Sequence, residues 1–369
     1  MKEVSKTASL EAITAKNKLS SNFLKKGISI ALFSGLMYGF YSAFLTLGMT
    51  KGVWGDWYGA NTAGLSAVVI TYVLGALGSA VNDTCSAVWA VIYATVKGKL
   101  GDFFRCLKTK PGAVMILAAL IGGPISSTAF VVALQMAGSI VIPITALCPA
   151  IGAILGRILF KQKLDKRMML GIVICVLSSF MIGSTSIGGD APEGMFLGIC
   201  IAFIAALGWG FEGCVAGYGT SMIDSEIGIT IRQATSGLSN LIILVPVFGM
   251  IFGDGIKFST DLVVQAFTSG PAMIWFALSG LCAFVSYMSW YNGNSMCGAA
   301  LGMACNGTYS FWGPFCCWII LGVIGGMDGW ALPPIVWISA VLMMFGILVI
   351  AMNPMDLFKK KEVKENEAA

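Results

Sequence analysis

Two charged residues in otherwise apolar stretches are the first candidates for chemistry. Glu212 is the only acid in the stretch 194–219, and Arg232 lies near the start of the next stretch, 227–253. A charge in hydrocarbon costs a few kcal/mol unless it is paired or hydrated. Two interpretations follow. The residues form a structural ion pair at similar depth, or Glu212 serves as counter-charge for a cationic solute or as a proton carrier.

Asp83 is a third candidate coupling group, because it lies in the mostly apolar segment 58–97. Its role depends on where a helix begins. A helix that begins near Gly75 places Asp83 in its outer half, within reach of a central pocket. A helix that begins at Asn61 makes Asp83 merely interfacial.

Polar and aromatic residues within the apolar stretches form a candidate solute-binding set. An amide that faces lipid is costly, and aromatic rings are common pocket walls. Asn306 and Ser310 are four residues apart and are predicted to share a helix face. Trp290 and Tyr291 have an alternative role as interfacial aromatics. The predicted solute-binding residues are Tyr38, Tyr41, Gln135, Trp209, Glu212, Asn292, Asn306 and Tyr309.

The composition indicates what positions these side chains. Of 369 residues, 57% are hydrophobic and 11% are charged, and the mean hydropathy is +0.84. These values are typical of an all-α integral membrane protein. The absence of His excludes His metal ligands and His proton relays. Most of the eleven Cys lie in apolar runs, where they pack as small hydrophobes, so we expect no disulfide framework, metal or cofactor.

The lengths of the charge-free stretches predict ten transmembrane helices, since one crossing needs about 20 residues. Two stretches are long enough for helical hairpins, with turns near Gln135–Ser139 and Asn292–Asn294. The alternative is two spans in segment 58–97 in place of one. The predicted spans are 27–50, 75–97, two within 111–156, 168–189, 194–219, 227–253, two within 262–327, and 333–352.

Charge placement predicts the orientation. With ten spans, only Lys51 and Lys257 of the 23 Lys and Arg residues fall outside the cytoplasmic segments. The positive-inside rule therefore places both termini in the cytoplasm, with tails 1–26 and 353–369. The basic excess is then a topology signal that lies against lipid headgroups, and it does not indicate nucleic-acid binding. Residues 1–24 are expected to form an interfacial helix or a disordered tail.

An internal repeat divides the chain into halves 27–189 and 190–352. Gly27-Ile28-Ser29-Ile30-Ala31 resembles Gly198-Ile199-Cys200-Ile201-Ala202 at an offset of 171. Small-residue pairs, Gly35–Gly39 and Ala206–Gly210, occupy matching places and favour close helix packing. Five spans per half is an odd number, so the second half must be inverted. Inverted repeats commonly form carriers with a midplane site between the halves.

These features resemble the drug/metabolite transporter superfamily, in its EamA-type branch. The resemblance rests on the 5+5 arrangement, the tight hairpins and the basic loop after span 4, which reads Phe160-Lys161-Gln162-Lys163-Leu164-Asp165. The sequence departs from the family at Lys163, where an acid is usual, and at Leu321-Gly322-Val323, which lacks the matching acidic signature. The resemblance implies a small-molecule carrier with a central pocket.

The sequence therefore predicts a secondary carrier, and no enzyme, in the cytoplasmic membrane. Its solute is expected to be a small polar organic molecule, neutral or cationic, with a proton as candidate coupling ion. The alternative is a membrane-embedded enzyme or a lipid-linked-sugar flippase subunit. An enzyme would need clustered titratable residues at one membrane face, and only Glu212 and Arg232 approach this. The state of assembly, monomer or homodimer, is left open.

Overall fold

The fold was analysed in a computed structural model that describes residues 2–59, 66–161, 164–186, 194–220, 222–297 and 299–351. The model is 89% helical, and no strand occurs among those residues. Residues 190 and 353–369, named in the predicted division of the chain, lie outside this part. Residues 60–65 of segment 58–97 also lie outside it.

Seventeen α-helices follow one another among the described residues. Four segments of the described chain are π-helical, and each directly follows α-helical residues: Val69–Val73, Ile121–Ser127, Asn240–Leu244 and Trp318–Ile324. Two segments are 3₁₀-helical: Gly138–Ile140 and Ser184–Ser186. The α-helices are α1 (Lys2–Gly48), α2 (Gly52–Gly59), α3 (Leu74–Val96), α4 (Leu100–Leu107), α5 (Lys110–Leu120), α6 (Thr128–Ala137), α7 (Val141–Thr145), α8 (Cys148–Phe160), α9 (Lys166–Gly183), α10 (Met195–Thr220), α11 (Ser225–Ser239), α12 (Val245–Phe252), α13 (Ile256–Thr268), α14 (Gly270–Cys297), α15 (Ala299–Asn306), α16 (Tyr309–Cys317) and α17 (Pro334–Ala351).

Eight helical stretches among the described residues are long and apolar enough to cross a membrane, so the chain is a multi-pass membrane protein. They are Asn22–Gly48, Lys110–Thr145, Lys166–Gly183, Met195–Ala216, Ser225–Phe252, Gly270–Cys297, Gly302–Ile324 and Pro334–Ala351. Cys148–Leu159 is a shorter apolar helix. Two of the ten predicted spans, near α3 and α8, are absent from these eight stretches.

The two predicted hairpin turns have different outcomes. The helix of the first hairpin ends at Ala137, where Gly138 takes a positive φ of 65°, inside the predicted turn. The second predicted turn, Asn292–Asn294, is wrong, because α14 continues through it to Cys297. Twenty-eight residues of helix measure about 42 Å, which exceeds the hydrocarbon thickness. Polar residues beyond the hydrocarbon can stay helical, so they do not mark the end of the helix.

The N-terminal region is one long helix. α1 begins at Lys2 and runs without interruption into the first apolar stretch. Of the two expectations for residues 1–24, the helical one therefore agrees with the backbone.

Helices of the two halves pack on one another in a reciprocal pattern. α1 packs on α14 and α16, and α10 packs on α6 and α8. Further contacts between the halves include those of α3 with α11 and α14 and of α9 with α17. The helices of the predicted second and fifth spans thus pack on their counterparts in the other half.

Two local features recur at the predicted offset of 171 residues. The π segments Val69–Val73 and Asn240–Leu244 are 171 residues apart. Gly39 and Gly210 are also 171 residues apart, and each lies at a close helix approach. A Cβ on Gly39 would lie 2.6 Å from the Trp312 carbonyl oxygen, and one on Gly210 would lie 3.0 Å from the Cys148 carbonyl oxygen.

Candidate functional site

A small cavity lies among helices of both halves, where two of these helices are interrupted. The break after α7 falls at Ala146–Leu147, and the break after α15 falls at Gly307–Thr308. Pro149 stands in the first turn of α8, where the missing N–H of proline costs nothing. The cavity is lined by Tyr38, Cys148, Pro149, Trp209, Ser286, Tyr287, Trp290, Met303, Asn306 and Tyr309.

Five of the ten residues that line the cavity are aromatic. Tyr38 stacks on Tyr309 with ring centroids 4.2 Å apart, and it meets Trp209 edge-on at 6.1 Å. Tyr287 and Trp290 adjoin each other at 6.1 Å. None of the ten lining residues is charged. Ring faces attract cations and also cover apolar parts of neutral solutes, so this wall suits either class.

Two polar atoms at the cavity have no hydrogen-bond partner. The Tyr38 hydroxyl and the Trp290 indole nitrogen are buried and unpaired within the described part of the chain. Native proteins pair most buried polar atoms, and the indole N–H can only donate. These two groups are therefore suited to a solute that carries hydrogen-bond acceptors. The Asn306 amide, by contrast, already donates to Ser34 Oγ at 2.7 Å.

The cavity has a volume of about 30 Å³. A water molecule needs about 10–15 Å³ of such a cavity, so there is room for only about two or three water molecules. An organic solute therefore fits only after side chains or helices move. The flexible Met303 side chain and the ends of the interrupted helices form the part of the wall that can move.

Glu212 and Arg232 form a buried ion pair beside this cavity. Arg232 Nε donates to Glu212 Oε1 at 2.7 Å, and Nη2 donates to Oε2 at 3.2 Å. Both side chains are 1% exposed. The guanidinium also donates to the Tyr287 hydroxyl at 3.0 Å and to Gln233 Oε1 at 2.6 Å. Glu212 is thus neutralised by Arg232 and does not stand free in the cavity.

Asp83 lies in the middle of α3, at the contact between α3 and α11. The helix that contains it is described from Ala67 through the π segment Val69–Val73, Asn61 lies outside the described residues, and the Asp83 side chain is buried in the protein. Its carboxylate accepts hydrogen bonds from Ser236 Oγ at 2.5 Å, Asn240 Nδ2 at 2.8 Å and Asn82 Nδ2 at 3.3 Å.

The structure separates the predicted solute-binding residues. Tyr38, Trp209, Asn306 and Tyr309 line the central cavity. Tyr41 is buried behind the wall, with its ring edge-on to Tyr38 at 5.1 Å. Glu212 lies in the ion pair, outside the lining.

Gln135 and Asn292 lie away from the central cavity. Gln135 lines another cavity of about 540 Å³, with Thr46, Thr50, Gly138 and Trp330. Asn292 accepts a hydrogen bond from Ser225 Oγ at 2.6 Å. Polarity alone could not show that these two residues face separate regions.

The predicted shared face of Asn306 and Ser310 is not found. The break at Gly307–Thr308 separates the two residues, and the Ser310 hydroxyl donates to the Ala340 carbonyl at 3.2 Å. Tyr287 was missed in the sequence, where it is one aromatic residue among several in α14. Its contact with Arg232, whose Cζ lies 3.9 Å from the ring centroid, identifies it.

A cluster of charges joins the two halves at one end of α3. Lys99 Nζ lies 3.0 Å from Asp224 Oδ2 and 2.7 Å from Glu226 Oε2. The hydrogen bond to Glu226 is the main cause that raises the pKa of Lys99. Burial alone would raise the pKa of Asp224, but hydrogen bonds from Lys99 and from the Glu226 backbone outweigh it and lower the pKa. Both groups therefore stay charged at neutral pH.

The larger cavity lies at the opposite end of α3. Gly75, in the first turn of α3, faces Gln135, which lines that cavity. α3 has 23 residues and spans about 34 Å between this end and the Lys99 cluster. Charges thus join the halves at one end of α3, and the cavity at the other end is lined by residues of the first half together with Trp330 of the second.

Comparison with known proteins gives a distant relative and a similar fold. No family model matches the chain. Protein LicB of Haemophilus influenzae is 24% identical over 232 residues, which cover 62% of this chain and 72% of LicB. A solved protein crystal structure aligns with a TM-score of 0.53 and 13% identity over 92% of this chain and 100% of that chain. This second likeness shows the fold alone.

Proposed function

We propose that the chain is a secondary carrier that moves a small polar organic solute across the cytoplasmic membrane by alternating access. It has ten spans in two inverted five-helix repeats, like the drug/metabolite transporters of the EamA type. The eight long stretches provide most of these spans. The α3 helix with its π segment and the Cys148–Phe160 helix supply the other two.

The observation that carries this proposal is the pair of interrupted helices at the central cavity. The breaks occur in the predicted fourth and ninth spans, which are counterparts in the two halves. Cys148 and Pro149, just after the first break, line the cavity, as do Asn306 and Tyr309 on either side of the second break. Helices broken at corresponding positions of two repeats are typical of carrier binding sites, because freed backbone groups need a cavity in the membrane.

The reciprocal packing also supports an inverted repeat. Exchange of the two halves maps the α1 contacts with α14 and α16 onto the α10 contacts with α6 and α8. The matched π segments and the matched glycines Gly39 and Gly210 agree with this exchange.

The proposed solute is neutral or cationic and carries at least one hydrogen-bond acceptor. The acceptor would pair with the free Tyr38 hydroxyl and Trp290 indole N–H. An anion is disfavoured, because the Arg232 charge is already engaged by Glu212 and no lining residue is charged. Aromatic walls contribute about 0.5–2 kcal/mol per contact with a cation.

A thermal-shift screen of the purified protein tests the proposed solute class. The panel contains amines, quaternary ammoniums, sugars, amino acids and carboxylates. A bound solute at 100 times its Kd stabilises the folded state by about 2.7 kcal/mol. We expect stabilisation by members of the neutral or cationic classes that carry acceptors. Stabilisation by carboxylates alone would contradict the proposed class.

Cysteine labelling tests the proposed orientation. Single cysteines at positions 102, 164, 190, 256 and 362 are introduced into a variant that lacks the native cysteines. We expect residues 102, 164 and 362 to react only in permeabilised cells, and 190 and 256 to react in intact cells. Reaction of residue 102 in intact cells would overturn the ten-span arrangement and the inversion.

A further inference from the structure

The buried charges at the contact between the halves do not balance. Asp83, Glu212 and Arg232 are the charged residues among the buried side chains that the structure describes. Arg232 contacts Glu212 through two hydrogen bonds, and Asp83 forms no ion pair within the described chain. Two carboxylates against one guanidinium leave one buried negative charge. Such a charge is costly unless a cation or a proton compensates it.

The neighbours of Asp83 fit a proton better than a metal ion. Its carboxylate receives N–H groups from Asn240 and Asn82 and the hydroxyl of Ser236. A bound metal ion needs several oxygen atoms directed at it, with room for the ion. Here the donors already occupy the carboxylate oxygens, whereas a proton needs no added space.

Few other titratable or charged groups face Asp83. α11 brings Arg232, α14 brings Tyr287 and α1 brings Tyr41 into electrostatic range. The other helices that pack on α3 bring none close: α6 and α12 and the segments 121–127 and 240–244 contain no charged residue. The charged residues Lys257 and Asp261 of α13 are exposed, as is Arg105 of α4, and Asp102 of α4 is paired with Arg105. Tyr72 in the π segment before α3 stacks on Phe252. Among the described residues, Asp83 is therefore the one buried carboxylate without an ion-pair partner that a proton entering this region can reach.

We propose that Asp83 is the proton-binding site of the chain and that its occupancy switches the contact between the two halves. This inference rests on the carrier function proposed above. Asp83 belongs to the first half, and its partners Ser236 and Asn240 belong to the second. The ionised carboxylate holds α11 by accepting both hydrogen bonds. When Oδ2 takes up a proton, it becomes a hydroxyl and loses acceptor capacity, so the contact weakens.

A route for the proton leads from the larger cavity. Val131 of α6 lines that cavity, and Thr128 lies one helical turn before it. The Thr128 hydroxyl lies 3.5 Å from Asn240 Oδ1, and Asn240 donates to Asp83. The proton site thus lies about one turn deeper than the cavity. A carboxamide does not relay a proton, so a water molecule that enters beside Thr128 and Asn240 carries it to Asp83. Only a proton moves in this step, from water in the cavity to Oδ2 and back, and no electrons are exchanged.

The test is infrared difference spectroscopy of the protein in liposomes between pH 8 and pH 5, without solute. Wild type is expected to show a buried carboxylic C=O band at pH 5. In Asp83→Asn the band should fall at least tenfold, and in Asp83→Glu it should persist at a shifted frequency. The exposed-carboxyl control Asp102→Asn should keep the wild-type band.

The switch is read from the distance between spin labels at positions 51 and 256, one in each half. The wild-type distance distribution should change with pH, and Asp83→Asn should show the low-pH distribution at both values. A wild-type band that persists in Asp83→Asn, or that disappears in Glu212→Gln instead, overturns the proposal. The proposal is also overturned if the wild-type protein shows neither the carboxylic C=O band nor a change of the spin-label distance with pH.

Neither measurement uses a solute. A protein with the Asp83 band but no solute transport would contradict the carrier proposal alone. A carrier without the band would contradict the proton site alone.

Discussion

Glu212→Gln and Arg232→Met are each expected to lower the free energy of unfolding by about 3–5 kcal/mol. Each substitution leaves a buried partner uncompensated: the guanidinium in the first variant and the carboxylate in the second. Both side chains are 1% exposed, so water cannot replace the lost partner. The measurement is thermal or denaturant unfolding of the purified variants in detergent.

The double variant Glu212→Gln/Arg232→Met separates pairing from a role in transport. Removal of both charges should restore most of the stability, because neither member of the pair is then left without its partner. Arg105→Met provides the control, since its pair with Asp102 is exposed and should contribute nothing measurable. If the double variant is no more stable than the single variants, the ion pair does not determine the stability of this region.

Gly39→Ala is expected to lower the free energy of unfolding by about 1–3 kcal/mol and to weaken solute binding. The added methyl group would lie 2.6 Å from the Trp312 carbonyl oxygen and 2.9 Å from Cys316 Sγ. Backbone cannot give way cheaply, so α1 and α16 must separate. Tyr38 is on α1 and Tyr309 is on α16, and their rings are stacked across this contact. Thermal unfolding and the solute-dependent thermal shift report the two effects.

Gly101→Ala is the matched control for Gly39→Ala. Gly101 lies in α4, and a Cβ there would meet nothing within 4 Å. The control should leave stability unchanged or raise it slightly, since Ala favours helix over Gly. Equal losses in both variants would show that the close approach of α1 and α16 does not matter.

The buried ion pair was the part of the site that could best be predicted from the sequence. A lone acid and a lone base at similar depth in adjacent spans suggest pairing, and Glu212 and Arg232 do pair. The turn at Gly138 could be placed because 46 charge-free residues exceed one crossing. The small residues at Gly35 and Gly39 indicated close packing, and both face the backbone of the ninth span.

The partners of Asp83 could not be predicted in the same way. Ser236 and Asn240 are small polar residues without a periodic signal, and they come from the other half of the chain. Asn82 is adjacent to Asp83 in the sequence, but the direction of its side chain depends on the residues that pack around it. Gln135 and Asn292 stand at the two predicted turns, yet they lie at different places because the helix lengths at the two turns differ. Pro149 stands beside the break near Cys148, whereas no proline adjoins the break at Gly307–Thr308.

Solute counterflow in liposomes tests the central claim that the cavity between the halves binds and moves a solute. Liposomes that contain the protein are loaded with each unlabelled panel member and diluted into its labelled form. We expect counterflow of at least one neutral or cationic solute with acceptors. The double variant Tyr38→Phe/Trp290→Phe, which removes both unpaired donors, should slow it about tenfold or more. Tyr72→Phe, a ring outside the cavity that stacks on Phe252, should not slow it. Folded wild-type protein that gives no counterflow with any panel solute would contradict the account, as would full counterflow in the double variant.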